Sequence, residues 1–561
     1  MFGNVDPRFL PAPEHRPQLT FGHPDLQFVH YRQSFNAADE LLDATIRRLG
    51  GDRVAIHEPA RERSWTYREL QGAVNRLGNG LKRLGLQPGD RVLIRIPDVA
   101  EMAIAQLAVW KVGGIVVPTS VLERAREIAF MVNDTEASLA LVDAEYLEEV
   151  VKARTETPTL REVVAVPAGP GDTVSYQALL EESSEVLPPY PNHPLDGSGI
   201  YYTGGTTGHP KGCLHTHAAE VLLADLTAAV RRAGPDDVFL THAPIGHAFG
   251  NGEKINFPLR IGASAVYSQR PSPRQMFELA ERYGATILAG AATMYRMMLR
   301  EEADPRATYP RLVLRSALSS GEILDRPTQD RWGQLLGFPL RNVVGMTPIR
   351  HIFIESNRDG DKVAPGLSVG APIPGYEARL VDAVTGGPLE PGEPGRLALR
   401  GPSGITYWTN LHPFIRERAA QDVREGWSLL DDAYSRDEEG WLWFQTRLDD
   451  MIVTGGRQVA APEVEAVMRE HPAVAEVAVV AAADELRGQV VMAYVVLRPG
   501  PEAGPALVQE LQEFAKREMA AYKYPREIEF LSELPRDPVG KIQRRMLRQR
   551  AADRRPSGAS E

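Results

Sequence analysis

Residues 201–217 read YYTGGTTGHPKGCLHTH. The apolar lead-in Gly199-Ile200-Tyr201-Tyr202 gives way to a stretch in which six residues from Gly204 to Gly212 are Gly, Pro or Lys. A turn so poor in side chains lets backbone N–H groups converge on an anion. Thr203, Thr206 and Thr207 add hydroxyl donors, and Lys211 supplies a compensating charge. Pro210 fixes the backbone just ahead of that lysine. The GxxxxGK[ST] spacing is missing, so this is a phosphate-binding loop of a different kind.

On its N-terminal side, helical and strand signals alternate. Residues 64–85, SWTYRELQGAVNRLGNGLKRLG, carry apolar side chains at three- and four-residue spacing, LQPGD turns, and RVLIRI (91–96) is a short strand. Residues 99–114 are helical again, followed by IVVPTS, and the pattern recurs at 127–143 and 276–298. Such alternation predicts α/β architecture with doubly wound, mostly parallel sheets. From about Gly366 short strands and Gly/Pro turns predict a small β-barrel or sandwich, and a new α/β unit starts near Asp450.

The bulk numbers fit this picture. A chain of 561 residues, 43% hydrophobic and 24% charged, has room for three or four folding units, or one large domain and a satellite. Sixty-three basic against seventy-four acidic residues give −11, which argues against a broad nucleic-acid surface. A single cysteine, Cys213, excludes an internal disulfide and fits a reducing compartment. Acids and prolines occupy the first residues where a leader would need an apolar run. The most apolar region, 103–121, is broken by Lys111, two glycines and a proline. A cytoplasmic enzyme with no membrane or nucleic-acid partner is the expectation.

YTGGTTGHPKG resembles the signature of the adenylate-forming superfamily of acyl- and aryl-CoA synthetases, adenylation domains and luciferase. The likeness extends to residues 63–94, 471–500 and 522–548, and so covers essentially the whole chain. HAFGNGEKINFPL (247–259), GMTPIRHIF (345–353) and GGRQVAAPEVE (455–465) look most like ligases that join CoA to benzoate- or 2-aminobenzoate-type acids. The resemblance implies an N-terminal domain over 1–448, with its β-rich part at about 366–445. It also implies a smaller, mobile α+β C-terminal domain over 449–561, hinged at Asp449. The implied reaction joins a carboxylate to ATP as an acyl-adenylate, which a thiol then attacks, with ATP, Mg²⁺ and coenzyme A taking part.

Residue by residue, the resemblance puts Thr203, Gly204, Gly205, Thr206, Thr207, Gly208 and Lys211 around the ATP phosphates. Ser320, Gly321 and Glu322 fall beside the adenine, and Gly345 and Met346 along the nucleotide and acid. Thr347 meets the α-phosphate, Asp432 and Arg447 the ribose, and Lys541 bridges carboxylate and phosphate. Gly455, Gly456 and Arg457 match a loop that lines the CoA channel. The acid is expected between residues 244–250, 288–295 and 345–353. There Gly290, Ala291 and Ala292 leave room for a flat ring, while His247, Phe249, Met346 and Ile349 wall it, and Arg350 and His351 either face a ring substituent or are paired at a helix start or core edge. No protein metal site is expected: Cys213, His215 and His217 are too bare a cluster.

Three departures stand out. Pro348 occupies the place of the usual Mg²⁺-ligating glutamate, and proline cannot coordinate a cation. "LLD" precedes Asp432 where a Thr-Gly pair is usual, and Val539 replaces a common hydroxyl residue. Only twenty residues follow Lys541, too few for a carrier domain, so CoA is the expected thiol. The rivals are a stand-alone enzyme loading a separate carrier protein and a nucleotide-binding homologue impaired by Pro348. A homodimer is left open.

Overall fold

The computed structural model describes residues 2–21, 34–203, 210–322, 324–358, 362–382, 386–387, 389–409, 413–447, 451–454, 457–484, 488–519, 523–536 and 542–553. The chain divides into two units, Met1–Ala378 with Leu399–Leu429 and Arg379–Ala398 with Leu430–Glu561.

The first unit holds two large sheets. One has seven strands in the order Val174–Ser175, Glu162–Val166, Leu139–Asp143, Arg91–Arg95, Ile115–Pro118, Gly197–Thr203 and Lys211–Thr216. Its neighbours run parallel except for the last pair, an antiparallel hairpin. The other has nine strands, with Arg63–Thr66 and Ala371–Pro372 at its edges. Val54–Glu58, Ser264–Val266, Val238–Thr241, Ile287–Gly290, Ser316–Ser319 and Leu340–Gly345 are mutually parallel inside it. Doubly wound parallel sheets are what the β-α alternation predicts.

Local chemistry explains the helices that cover these sheets. Tyr67–Arg83 starts at a reciprocal cap: Thr66 Oγ1 accepts from the Glu69 amide at 3.2 Å, and the Glu69 carboxylate accepts from the Thr66 amide at 2.7 Å. Its buried Leu70, Ala73, Val74, Leu77 and Leu81 fall on one face. Each fully buried leucine or valine is worth roughly 1.5–3 kcal/mol of transfer free energy. Ala100–Val112 is instead enclosed all round, and Lys111 is tolerated there because its ammonium pairs with Asp43 at 2.5 Å. Among the described residues no helix is long and apolar enough to cross a membrane.

The second unit has a five-stranded sheet in which Arg457–Ala460, Met451–Thr454, Gly488–Leu497 and Val474–Asp484 follow in order and Glu527–Phe530 pairs with Gly488–Leu497. The helices Ala461–Arg469, Pro505–Glu518 and Arg544–Ala552 contribute to its two apolar clusters. The Gly/Pro-rich stretch supplies short strands of a further five-stranded sheet that includes Trp427–Arg436 and Leu442–Arg447.

One buried imidazole gives this fold a pH signature. His217 opens the helix His217–Arg231; its Nδ1 accepts from the Ala37 amide at 3.2 Å, so the ring is held neutral with its proton on Nε2. Burial pushes its pKa down to about 3. The unfolded chain takes up a proton near pH 6.5, which the folded chain refuses. The stabilisation is therefore complete above pH 6.5 and is lost as the pH falls toward 3, by about 2 kcal/mol at pH 5. His217→Asn keeps an acceptor for Ala37 and cannot charge. The gap in unfolding midpoint between H217N and the wild type should accordingly narrow from pH 7 to pH 5 in thermal melts.

Candidate active site

Several of the sequences singled out above follow neighbouring parallel strands of the nine-stranded sheet. Val238–Thr241 leads to residues 242–249, and Ile287–Gly290 to Ala291 and Ala292. Ser316–Ser319 leads to Ser320, Gly321 and Glu322, and Leu340–Gly345 to Met346 and Thr347. The register sets Thr241 beside Ala289, Gly290 beside Ser319 and Ser319 beside Asn342, so the carboxyl ends form one edge. Ligands of open α/β sheets bind outside that edge.

The phosphate-loop sequence enters from the other sheet. Gly197–Thr203 and Lys211–Thr216 are antiparallel, with Thr203 directly opposite Lys211. Opposed Cβ atoms lie about 4.5–5.5 Å apart, so one hydroxyl and one ammonium flank the loop's two ends. The Lys211 ammonium sits 5.5 Å from the Tyr407 ring centroid, and among the described residues no carboxylate pairs with it. Cys213 is buried and its thiol is pushed up to about 12, so it stays protonated at neutral pH.

Thr347 occupies the short 3₁₀ turn Thr347–Ile349, closed by the Ile349 amide to Met346 O at 2.9 Å and the Arg350 amide to Thr347 O at 3.0 Å. Gly345 suits the tight exit of the turn from the strand: a Cβ there would come within 3.1–3.2 Å of the His351 and Ile352 backbone. Gly345 to Pro348 are half-buried, so Thr347 is reachable by a ligand. In the second unit, Asp432 and Arg447 are direct cross-strand partners, and the Tyr434 hydroxyl donates to Asp432 at 3.5 Å.

Other expected residues fall elsewhere. Gly204, Gly205, Thr206, Thr207, Gly208, Asp449, Gly455, Gly456 and Lys541 lie outside the described residues, as do the side chains of Arg447 and Arg457. Ala292 is fully buried in the core cluster with Tyr295 and Trp332, because it already belongs to the helix Ala292–Glu301. Gly290 faces the His242 ring, which a Cβ would meet at 3.2 Å. Ile349 is fully buried, and its carbonyl accepts from Ser403 Oγ at 2.7 Å. Phe249 and Met346 are half-buried and Ala291 intermediate, while His247 is exposed and caps the following helix through Nδ1 at 3.3 Å from the Phe249 amide. Glu322 caps the helix Ala292–Glu301, accepting from the Thr293 amide at 2.9 Å and its hydroxyl at 2.6 Å.

Arg350 corrects the sequence reading most sharply. Instead of facing a ring substituent it is fully enclosed. Its Nε donates to both Glu220 oxygens at 3.0 and 2.9 Å, and its Nη2 donates to Tyr201 Oη at 2.6 Å and Asn251 Oδ1 at 2.7 Å. The reason is desolvation: a buried guanidinium needs a carboxylate and several acceptors, and Glu220 is equally buried. Removing one partner of such a pair costs about 3–5 kcal/mol. Glu220, Tyr201 and Asn251 were missed from sequence. The available signal was an acid inside the apolar run AAEVLL (218–223).

Two imidazoles beside Arg350 are held neutral, chiefly by burial. His215 and His351 are buried, and burial first, then the Arg350 charge, keeps both well below the usual histidine range.

The AMP-binding enzyme family matches residues 42–407, and the AMP-binding enzyme C-terminal domain matches 463–541. The chain belongs to the AMP-binding enzyme family. It is 36% identical to a benzoate–CoA ligase of Thauera aromatica over 92% of its length and 96% of that protein's. It is 32% identical to an acetyl-coenzyme A synthetase of Bacillus subtilis (strain 168), covering 91% and 90% of the two chains. Its fold matches the crystal structure of an anthranilate CoA ligase in complex with anthranoyl-AMP, with a TM-score of 0.76, 30% identity and coverage of 93% and 98%. The protein is an AMP-forming acid–thiol ligase of the acyl/aryl-CoA synthetase type, and the family's substrates are a carboxylic acid, ATP and CoA.

Since no carboxylate among the described residues pairs with Lys211, Lys211→Met should leave the thermal midpoint nearly unchanged. It should lower ATP–pyrophosphate exchange by about 100-fold or more, the usual effect of deleting a charge-stabilising donor.

Proposed function

We propose that this ligase activates a benzoate-like aromatic acid and transfers it to CoA. The observation that carries the reading is the 36% identity to a benzoate–CoA ligase across 92% of the chain. Support comes from the fold match to a ligase bound to anthranoyl-AMP. Half-buried Phe249 and Met346 and the small Ala291 are suited to a flat ring. Arg350, already neutralised by Glu220, offers no charge to a second carboxylate on that ring.

In the first half-reaction an acid oxygen forms a bond to the α-phosphorus of ATP, and the bond to pyrophosphate breaks. In the second, the CoA thiolate forms a bond to the acyl carbon and AMP leaves with the carboxyl oxygen. Proton transfer is a small part of the first step, so fixed cations and dipoles matter most. Lys211 and the Thr203 hydroxyl meet the phosphates, and Thr347 donates to an α-phosphate oxygen. Asp432 and Arg447 hold the ribose, and Lys541 spans carboxylate and phosphate. Ser320, Gly321 and Glu322 border the adenine, and Gly455, Gly456 and Arg457 line the CoA path.

The turn Thr347–Ile349 supplies a hydroxyl and no carboxylate, and no group of His, Cys, Asp or Glu able to hold a metal occurs among the described residues. The turn itself therefore does not fit as a set of Mg²⁺ ligands.

A panel of aromatic, short branched and fatty acids, scored by mass spectrometry for CoA-thioester formation, tests the acid class. Benzoates should dominate. Preference for a long-chain acid would overturn the reading, and transfer to a phosphopantetheinyl carrier with none to CoA would replace CoA as the acceptor. Pro348→Glu restores a carboxylate at a half-buried position and should speed pyrophosphate release; an unchanged or slower rate would count against a missing ligand.

A further inference from the structure

Arg350 is fully enclosed, yet it touches the segments that the adenylation reading places around the acid and the α-phosphate. Its ring contact with Tyr201, 3.9 Å from guanidinium to centroid, and its bond to Tyr201 Oη anchor it to the strand that enters the phosphate loop. Asn251 Oδ1, and the Ala248 carbonyl at 3.5 Å, tie it to the acid-side helix Ala248–Asn251. Its own amide closes the Thr347 turn. Glu220, its counter-ion, sits in the first turn of the helix that follows the phosphate-loop hairpin.

The backbone at Arg350 is strained. It adopts φ 83°, ψ −58°, a conformation rare for a residue with a side chain. Such a geometry persists only where the surroundings over-determine it, and here the guanidinium fork does so. Asn256 adds a second restraint, donating to Glu220 Oε2 at 2.7 Å while lying 3.3 Å from His351 Nε2.

We propose that Arg350 is a positioning residue for adenylation: its buried fork sets the Thr347 turn in register with the phosphate-loop strand and the acid-side helix. The inference rests on the adenylation reading above. A lysine cannot replace the fork, because an ammonium concentrates its donors at one point and cannot meet Glu220, Tyr201 and Asn251 together. Loss of the fork should misalign acid and α-phosphate, and slow the chemical step more than it weakens binding of either substrate.

The test separates the half-reactions in Arg350→Met/Glu220→Gln, which removes both charges and leaves neither orphaned. ATP–pyrophosphate exchange is measured with the acid the wild type turns over best, and thioester formation from the corresponding synthetic acyl-adenylate. The expected result is a folded protein whose exchange kcat falls about 100-fold, with KM for ATP and acid within about threefold and thioester formation within about fivefold of wild type. R350K should recover only part of the loss. Wild-type exchange in the double variant, or equal losses in both half-reactions, would overturn the proposal. If the double variant does not fold, Tyr201→Phe decides: loss of the hydroxyl, which accepts from Arg350 at 2.6 Å and donates to Asn251 Oδ1 at 3.4 Å, should lower exchange kcat about three- to tenfold, and no change would refute the role. No exchange by the wild type with any acid would remove the adenylation reading and this inference with it.

Discussion

The Arg350–Glu220 pair is the constraint on which the first unit's site depends. Both side chains are fully withdrawn from water, so each needs the other, and neither can shift without stranding a charge in a low-dielectric interior. The helix His217–Arg231 is fastened by this pair in its first turn and by Arg231 to Glu253 and Glu355 at its last residue. Arg350 lies just before the strand Ile352–Glu355 and Glu355 ends it, so one helix is bolted to both ends of one strand. An acid near its N-terminus and a base at its C-terminus also complement the helix dipole.

That fastening matters because the site draws on two sheets. The nine-stranded sheet contributes the carboxyl ends of four parallel strands, and the seven-stranded sheet contributes the hairpin carrying Thr203 and Lys211. The seven-stranded sheet already sets a hydroxyl opposite an ammonium, and the nine-stranded sheet adds the Thr347 turn to the proposed site. Buried polar groups are retained at the junction despite their desolvation cost, and their directional bonds give it one arrangement instead of several.

Much of this was legible in the chain. The alternation of three- and four-residue apolar spacing with short β-branched runs announced parallel sheets. The phosphate loop stood out because side-chain-poor turns serve little purpose other than close backbone approach. Arg350 was misread for a physical reason: a charged residue beside a binding motif looks like a ligand contact until its partner is known. That partner, Glu220, lies 130 positions away. Ala292 was misjudged similarly, since small size signals either an open pocket or a tight neighbour.

What the sequence by itself determined was local: where strands and helices begin, which loop gives up its side chains, and that proline replaces a carboxylate at 348. Those features depend on residues a few positions apart, whose geometry the backbone imposes. Only the tertiary structure decided which charges neutralise each other, which imidazoles stay uncharged and which small residues are filled by a neighbour. Those outcomes depend on desolvation and on contacts between distant segments, and neither exists until the two sheets have packed.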